Sequence, residues 1–368
     1  MDQKIVIIGA GQTGRGFIAR LMKQSGQMFA FIDCNRELVD LLNRKKRYEI
    51  SFYSAQKPVQ IDGFAAFCTD DKQAVKVLSE ADIVFTAVGE QNLDKLIPLI
   101  DKSLKERKNP NKMIIVTCEN GTSPKSKLSM FENQVNLSES IIFCTTLAKA
   151  KNSLDILSQY IDYLPYDLEP LSTKLDFYGM VPVDDFSGLI HRKIYTYNCL
   201  SAAIAYPGYY KGYKNYADAA NDKDILKITD SIAENLNLCI SREFNVSSSE
   251  QEQFTLMALN KFRNTKIIDT IERNARDIKR KLGKNERMIM PVILMKKYNC
   301  SIKLMELVIA CAIYYGCSKS SDKTNEKESL FKDLKQYLPL NIVDEIDQIY
   351  NQLIARRQLS DMISACIL

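Results

Sequence analysis

The stretch KIVIIGAGQTGRGFIARLMKQSG, Lys4 to Gly26, decides the fold. Ile5 to Ile8 read as a buried strand that ends in a glycine turn. Phe17, Ile18, Leu21 and Met22 then recur at helical spacing, and Gly26 sits where the residue closing a helix would. A second apolar strand, Phe29 to Ile32, runs into Asp33. Gly9, Gly11 and Gly14 thus supply G-x-G-x-x-G inside a βαβ unit, with an acid after the second strand, the dinucleotide-binding fingerprint. Gly9 permits the tight turn, Gly11 lets the backbone approach a pyrophosphate, and Gly14 permits close helix packing. Gln12 and Thr13 open the helix whose free N–H groups face the phosphates. Asp33 would accept hydrogen bonds from a ribose 2′-hydroxyl and repel a 2′-phosphate. The expected cofactor is therefore NAD rather than NADP, a preference that Arg36 nearby weakens.

Working outward, alternating runs predict strands at Tyr48 to Phe52 and Val59 to Phe64. DIVFTAVG, Asp82 to Gly89, reads as a core strand whose end would carry Ala87 and Val88 past the nucleotide. A helix is expected from Leu93 to Leu104. KMIIVTCENG then forms another buried strand ending in Glu119, Asn120 and Gly121. Ligands of doubly wound sheets sit beyond the carboxyl ends of the strands, so Asn120 is placed to touch substrate or nicotinamide. Short strands are expected at Ser140 to Cys144 and, at an edge, Leu171 to Met180. After Val183 the patterning turns helical, with a capping box at Ser249 and Glu252 and an exposed polar loop from Ser318 to Ser329. The expected architecture is an α/β Rossmann-type dinucleotide-binding domain over residues 1–186, followed by a mostly α-helical substrate domain over 187–368.

Composition narrows the function. The 368 residues are 46% hydrophobic and 26% charged, an ordinary soluble composition. Fifty basic against forty-five acidic residues leave +5, too mild and interspersed for a nucleic-acid partner. No apolar run reaches the roughly 20 residues that span a bilayer, so no membrane partner is expected. Ten cysteines without a CxxC pair, and a start without signal-sequence character, point to a reducing cytoplasm. The single histidine, His191, rules out a His-rich metal site, leaving lysine, carboxylates, amides, hydroxyls or an organic cofactor to do chemistry.

The candidate chemistry lies in HRKIYTYNCLS, His191 to Ser201, which reads as one short helix stopped by Pro207 and Gly208. At about 100° per residue, Lys193, Ser201 and Asn198 fall at about 0°, 80° and 140°, on one side of the axis. A dehydrogenase must remove a hydroxyl proton and stabilise the developing oxyanion. Lys193 can be the base if burial or neighbouring cations lower its pKa, and Asn198 with Asn120 can donate two amide N–H groups to the oxygen.

GAGQTGRGF, the strand-end CEN at Cys118 to Asn120, and RKIYTYN at Arg192 to Asn198 resemble the mannitol-1-phosphate 5-dehydrogenases, members of the long-chain polyol dehydrogenases. KFRN at Lys261 to Asn264 and ERNARDIKRKL at Glu272 to Leu282 resemble that family's helical-domain motif, and the likeness runs from Lys4 to about Tyr315. The K-x4-N helix is the specific part, since β-hydroxyacid dehydrogenases carry K-x3-N. The resemblance implies an NAD-dependent oxidoreductase of a sugar alcohol or its phosphate. It assigns Lys193 as general acid/base, Asn120 and Asn198 as the oxyanion site, and Arg276 and Arg280 as groups that hold phosphate or polyol.

Two departures fall on the substrate side. The family helix continues K-x4-N-x2-H, and Ser201 stands at the histidine. The family's D-R-I-V-P region reads CTTLAKAKN here, with Lys149 and Ala150 in place of the acid and arginine. Two alternatives follow: a nucleotide-binding sensor or interaction module that has lost or changed the reaction, or a sugar-acid reductase in which Lys149 attracts a carboxylate. His191, almost three turns below Ser201, is expected to serve a surface or supporting role. A monomer and a homodimer both fit the apolar tail MISACIL.

Overall fold

The computed structural model describes residues 3–121 and 123–367, and the chain divides into two compact units, Met1–Ser187 and Gly188–Leu368. In the first unit the strands are β1 (Ile5–Ile8), β2 (Phe29–Asp33), β3 (Arg47–Phe52), β4 (Val59–Asp62), β5 (Ala65–Cys68), β6 (Ile83–Thr86), β7 (Met113–Thr117), β8 (Val135–Glu139), β9 (Thr146–Ala148), β10 (Ile156–Ser158), β11 (Leu164–Asp167) and β12 (Met180–Val183). Six of them form a parallel sheet in the order β5-β2-β1-β6-β7-β8. Alternate residues of these strands feed two separate cores. Ile5, Ile7, Phe29, Phe31 and Phe85 join one, and Val6, Ile8, Ile32, Val84 and Ile115 join the other. A parallel sheet covered on both faces needs apolar residues at every position, which is why β1 and β6 read as unbroken apolar runs. The helices α1 (Ala19–Gln24), α2 (Arg36–Lys45), α3 (Lys72–Ser79) and α4 (Ile97–Glu106) belong to the same unit.

Several expected elements move. The run Val59 to Phe64 holds a single strand, β4, which ends at Asp62; Gly63, with φ of +73°, turns the chain, and β5 begins at Ala65. β4 pairs antiparallel with β3, while β5 joins the edge of the main sheet. The strand expected at Ser140–Cys144 lies one step earlier, at β8, because Val135 and Leu137 supply the buried alternation. No strand covers Leu171 to Gly179. Leu171, Leu175 and Phe177 anchor an irregular segment in the core, and the Leu175 N–H donates to the buried Tyr166 hydroxyl at 2.8 Å. The strand pairing there is β11 with β12.

The second unit is helical: α5 (Phe186–Lys193), α6 (Cys199–Tyr210), α7 (Tyr216–Ala220), α8 (Lys223–Glu243), α9 (Ser248–Arg263), α10 (Ile271–Ala275), α11 (Ile278–Lys281), α12 (Ile289–Lys297), α13 (Lys303–Lys319), α14 (Lys323–Leu334), α15 (Leu340–Ile354) and α16 (Leu359–Ile367). Its axis is α13, apolar on all sides and therefore buried along most of its length. α6 packs on it through Tyr206 and Tyr209, whose rings lie 5.8 and 4.8 Å from that of Tyr315. Pro207 does not stop α6, which runs on to Tyr210. The capping box sits two residues earlier than expected, with the Ser247 hydroxyl accepting the Glu250 N–H at 3.2 Å. The polar stretch at 318–329 is mostly helix. Asp322 caps α14 by accepting the Asn325 N–H at 3.0 Å, and Leu330, Phe331 and Leu334 give it an apolar face whose first two turns are too polar to betray it.

Candidate functional site

The glycine loop and the end of β2 are fastened together before any ligand is considered. Gly9 N–H donates to the Ile32 carbonyl at 2.7 Å, and Ala10 N–H donates to one Asp33 oxygen at 2.7 Å. The other Asp33 oxygen accepts the Asn35 N–H at 2.8 Å. Gly9 has φ +99°, and a β-carbon there would lie 2.5 Å from the Ala87 carbonyl oxygen. At Gly14 a β-carbon would lie 1.9 Å from the Gly9 carbonyl oxygen. Gly11 differs, since a β-carbon on it would meet nothing within 4 Å. Gly9 and Gly14 are therefore demanded by the protein itself, and Gly11 faces open space of the kind a pyrophosphate fills. Gln12 and Thr13 precede a π-helical segment, Gly14–Ile18, that leads into α1. Gly9, Gly11, Asp33, Ala87 and Val88 line one cavity of about 950 Å³, which suits an adenine dinucleotide with a free ribose 2′-hydroxyl.

Glu119, passed over in the sequence, ties the far side of this cavity. Its buried carboxylate accepts the Thr86 hydroxyl at 2.9 Å and the Val88 N–H at 3.1 Å, holding the Thr86–Val88 run to the end of β7. Burial pushes the Glu119 carboxyl upward, while these donors oppose the shift. Asn120 follows directly, past the carboxyl end of β7, where the sheet rule puts it.

In the second unit the lysine-bearing stretch is not one α-helix. α5 ends at Lys193, residues Ile194–Asn198 form a π-helical turn, and α6 begins at Cys199. A π turn inserts one residue, so a pair spaced i, i+5 takes the place of an α-helical i, i+4 pair. Lys193 and Asn198 then stand about 40° apart rather than about 140°, and Ser201 falls within about 20° of Lys193. All three share a single stripe. K-x4-N here does what K-x3-N does on an unbroken helix. The opposite side of the turn is anchored on α9: Gln251 Nε2 donates to Thr196 Oγ1 at 3.0 Å, and Arg192 donates to Glu250 at 2.7 Å.

Lys193 is half-buried, and burial first, then Lys261 and Arg287, pushes its amine down to about 7. Lys281 shares this environment. It is buried, its amine donates to the Asn274 carbonyl at 2.5 Å, and burial with Arg287 and Arg280 brings it to about 7 as well. Arg287 and Lys281 escaped sequence reading because nothing in their spacing distinguishes them from a solvated basic face.

The family description "Mannitol dehydrogenase Rossmann domain" matches residues 3–141, and "Mannitol dehydrogenase C-terminal domain" matches residues 185–358. The chain belongs to the mannitol dehydrogenase family. Mannitol-1-phosphate 5-dehydrogenase of Bacillus subtilis (strain 168) is 30% identical over 312 residues, 79% of this chain and 83% of that protein. The enzyme of the same name from Thermoanaerobacter pseudethanolicus is 29% identical over 332 residues, 85% of this chain and 86% of its own. Among solved structures, Pseudomonas fluorescens mannitol 2-dehydrogenase in complex with NAD and D-mannitol gives a TM-score of 0.76 at 12% identity, covering 100% of this chain and 94% of that one. At that identity the likeness is one of fold.

Within this family member the departures now have surroundings. Ser201 Oγ accepts the hydroxyl of buried Tyr216 at 3.0 Å. Arg276 is exposed, and Arg280 is exposed and paired with Glu286 at 2.9 Å. Lys149 forms a surface ion pair with Glu49 at 3.1 Å beside the small sheet. His191 stacks on Tyr195 at 5.6 Å and on Phe244 at 6.4 Å, a packing role. Among the described residues no group of three His, Cys, Asp or Glu could hold a metal ion, and no helix is long and apolar enough to cross a membrane.

An amine brought to about 7 sets the pH profile expected of a reaction in which Lys193 is the base. For alcohol oxidation, kcat/KM rises through about pH 7 as Lys193 loses its proton and then levels, and carbonyl reduction shows the opposite limb. Arg287→Met removes a like charge, so the limb moves up by about 0.5 to 1 unit, burial remaining the larger cause. Initial rates from pH 5.5 to 9.5 on both proteins measure the shift (range chosen to bracket about 7).

Proposed function

We propose that this protein is an NAD-dependent oxidoreductase that interconverts a sugar-alcohol phosphate of the mannitol 1-phosphate type and the corresponding ketose phosphate. The observation that carries the reading is Lys193, held near neutrality on one stripe with Asn198 and Ser201. Neutral Lys193 takes the proton of the substrate hydroxyl. The amide N–H groups of Asn198 and Asn120 donate to that oxygen as charge develops on it, and each such donor is worth about 3 kcal/mol in the transition state. NAD, held in the first unit by the glycine loop, Asp33, Ala87 and Val88, would supply the hydride acceptor for the carbon that bears this hydroxyl. Ser201, which accepts from Tyr216, retains its own proton to donate to a neighbouring substrate hydroxyl, a neutral contact where the family histidine would make a larger one.

The phosphate is supported by the name of the relatives that are 26–30% identical and by the cations of the second unit. Beyond burial, Lys261 and Arg287 lower the Lys193 amine, and Arg287 and Arg280 lower that of Lys281, a repulsion that a bound dianion would relieve. Arg276 and Arg280 lie at the exposed side of the same segment and would approach the phosphate by charge-assisted hydrogen bonds. The test is NADH formation from mannitol 1-phosphate, glucitol 6-phosphate, mannitol and glucitol. A kcat/KM for one phosphate at least about 10²-fold above its parent alcohol is expected, equivalent to a pair of charged contacts. Equal rates on mannitol and its phosphate would remove the phosphate assignment, and turnover of none would favour the sensor alternative.

A further inference from the structure

Around the Asp33 end of the nucleotide cavity lies a contact that the glycine motif does not foretell. Arg36, the first residue of α2, follows Asp33 by three positions, in the region from which a guanidinium reaches a ribose 2′-phosphate in NADP-binding sheets of this kind. Its guanidinium is engaged elsewhere. Nη2 donates to Asp70 Oδ1 at 2.6 Å, and Nη1 donates to Asp71 Oδ1 at 2.9 Å. Both carboxylates belong to the turn between β5 and α3, and that turn is fixed to the Asp33 backbone. Cys68 pairs with Asp33 in register, Thr69 N–H donates to the Asp33 carbonyl at 3.1 Å, and the second Asp71 oxygen accepts the Cys68 N–H at 2.9 Å.

The outcome is an arginine held by two carboxylates that themselves line the cavity. Asp33, Asp70 and Asp71 line the cavity and Arg36 does not, while Lys72 and Lys76 of α3, and Lys95 and Lys102 beyond them, line it as well. Half-exposed ion pairs of this sort contribute little to stability, so the arrangement is not explained by folding. It does explain how an arginine so close to the ribose is kept from changing the cofactor.

We propose that Asp70 and Asp71 act as a clamp that holds Arg36 off the nucleotide cavity, and that this clamp, beside Asp33, sets the preference for NAD over NADP. The proposal rests on the reading of the cavity as an NAD site. Asp33 alone leaves the arginine competent to swing in; the clamp opposes that movement, and its two carboxylates exceed the guanidinium they hold by one negative charge at the rim. Asp70 and Asp71 are thus specificity-determining residues that need not touch the bound cofactor.

The test is titration of the full-length protein with NADH and NADPH, followed by fluorescence, for the wild type, for Asp70→Ala/Asp71→Asn, and for that pair combined with Arg36→Ala. Asparagine at 71 keeps an oxygen for the Cys68 N–H, so the turn is retained. The double variant is expected to bind NADPH at least about tenfold more tightly than the wild type, with NADH affinity changed by less than about threefold, and the triple variant to lose the gain. A wild type selective for NADH whose double variant stays equally selective overturns the clamp alone. A gain that persists without Arg36 also overturns it, assigning the effect to carboxylate charge and Lys72. A wild type that binds NADPH as tightly as NADH sinks the NAD reading, and the clamp with it.

Discussion

Replacing Lys193 by methionine is expected to lower kcat by about 10²- to 10⁴-fold while leaving NADH affinity within about twofold, because the role proposed for it is proton transfer and not cofactor contact. The same substitution stabilises the protein at neutral pH, and the sign follows from protonation. The amine has a value of about 7 in the folded chain against an ordinary value of 10.5, so between those limits the unfolded chain binds the extra proton. The cost of holding Lys193 folded is therefore full below pH 7 and fades as the pH climbs toward 10. Methionine removes it, raising stability by about 1 to 3 kcal/mol near pH 6.5, with the advantage shrinking at pH 9.5. Thermal unfolding of both proteins at the two pH values checks this. An active K193M enzyme dismisses the base, and a methionine variant less stable than the wild type at both pH values dismisses the repulsion.

The second large effect separates two glycines that look alike in the motif. Gly14→Ala drives a β-carbon to within 1.9 Å of the Gly9 carbonyl oxygen, a backbone atom that no rotamer change can move away. The loop must shift against the helix it opens, at a cost of about 3 kcal/mol or more. NADH affinity falls with it, since the loop N–H groups that face the phosphates are displaced. Gly11→Ala has open space and no positive φ to satisfy, so the variant folds with an unchanged Tm. Its methyl group nevertheless occupies the face that a pyrophosphate approaches, and NADH affinity drops by at least about tenfold. Tm and NADH titrations on the two variants distinguish a fold glycine from a ligand glycine. A stable G14A, or a G11A with full affinity, contradicts the reading.

What the sequence revealed, and what it hid, follows from the range of the forces involved. The Lys4–Gly26 motif was legible because each glycine answers a local steric demand and the flanking strands are buried on both faces. Asp33 was legible for its charge, yet its second task, fastening Ala10, depends on a turn returning from residue 10 to residue 33 and has no local signature. The edge strand expected at Leu171–Met180 was false because its alternation serves an irregular anchor. α14 was missed because its apolar face comes only in its last turns.

The stripe of Lys193, Asn198 and Ser201 shows the same limit more sharply. On an unbroken helix Asn198 sits about 140° from Lys193, and the two can only loosely share a side. The π turn at Ile194–Asn198 corrects the register by one residue, and its anchor on Gln251 lies 55 positions away along the chain. Glu119, Arg287 and Lys281 were invisible for a related reason. Their roles rest on burial and on neighbours, which spacing alone does not encode.

The central claim is that Lys193, Asn198 and Asn120 act on one oxygen. A crystal structure with NAD and mannitol 1-phosphate bound tests it most directly. The account predicts the Lys193 amine and both asparagine amides within about 3.5 Å of a single substrate oxygen beside the nicotinamide C4. A substrate bound with that oxygen more than about 5 Å from Lys193, or held by other donors, would contradict it.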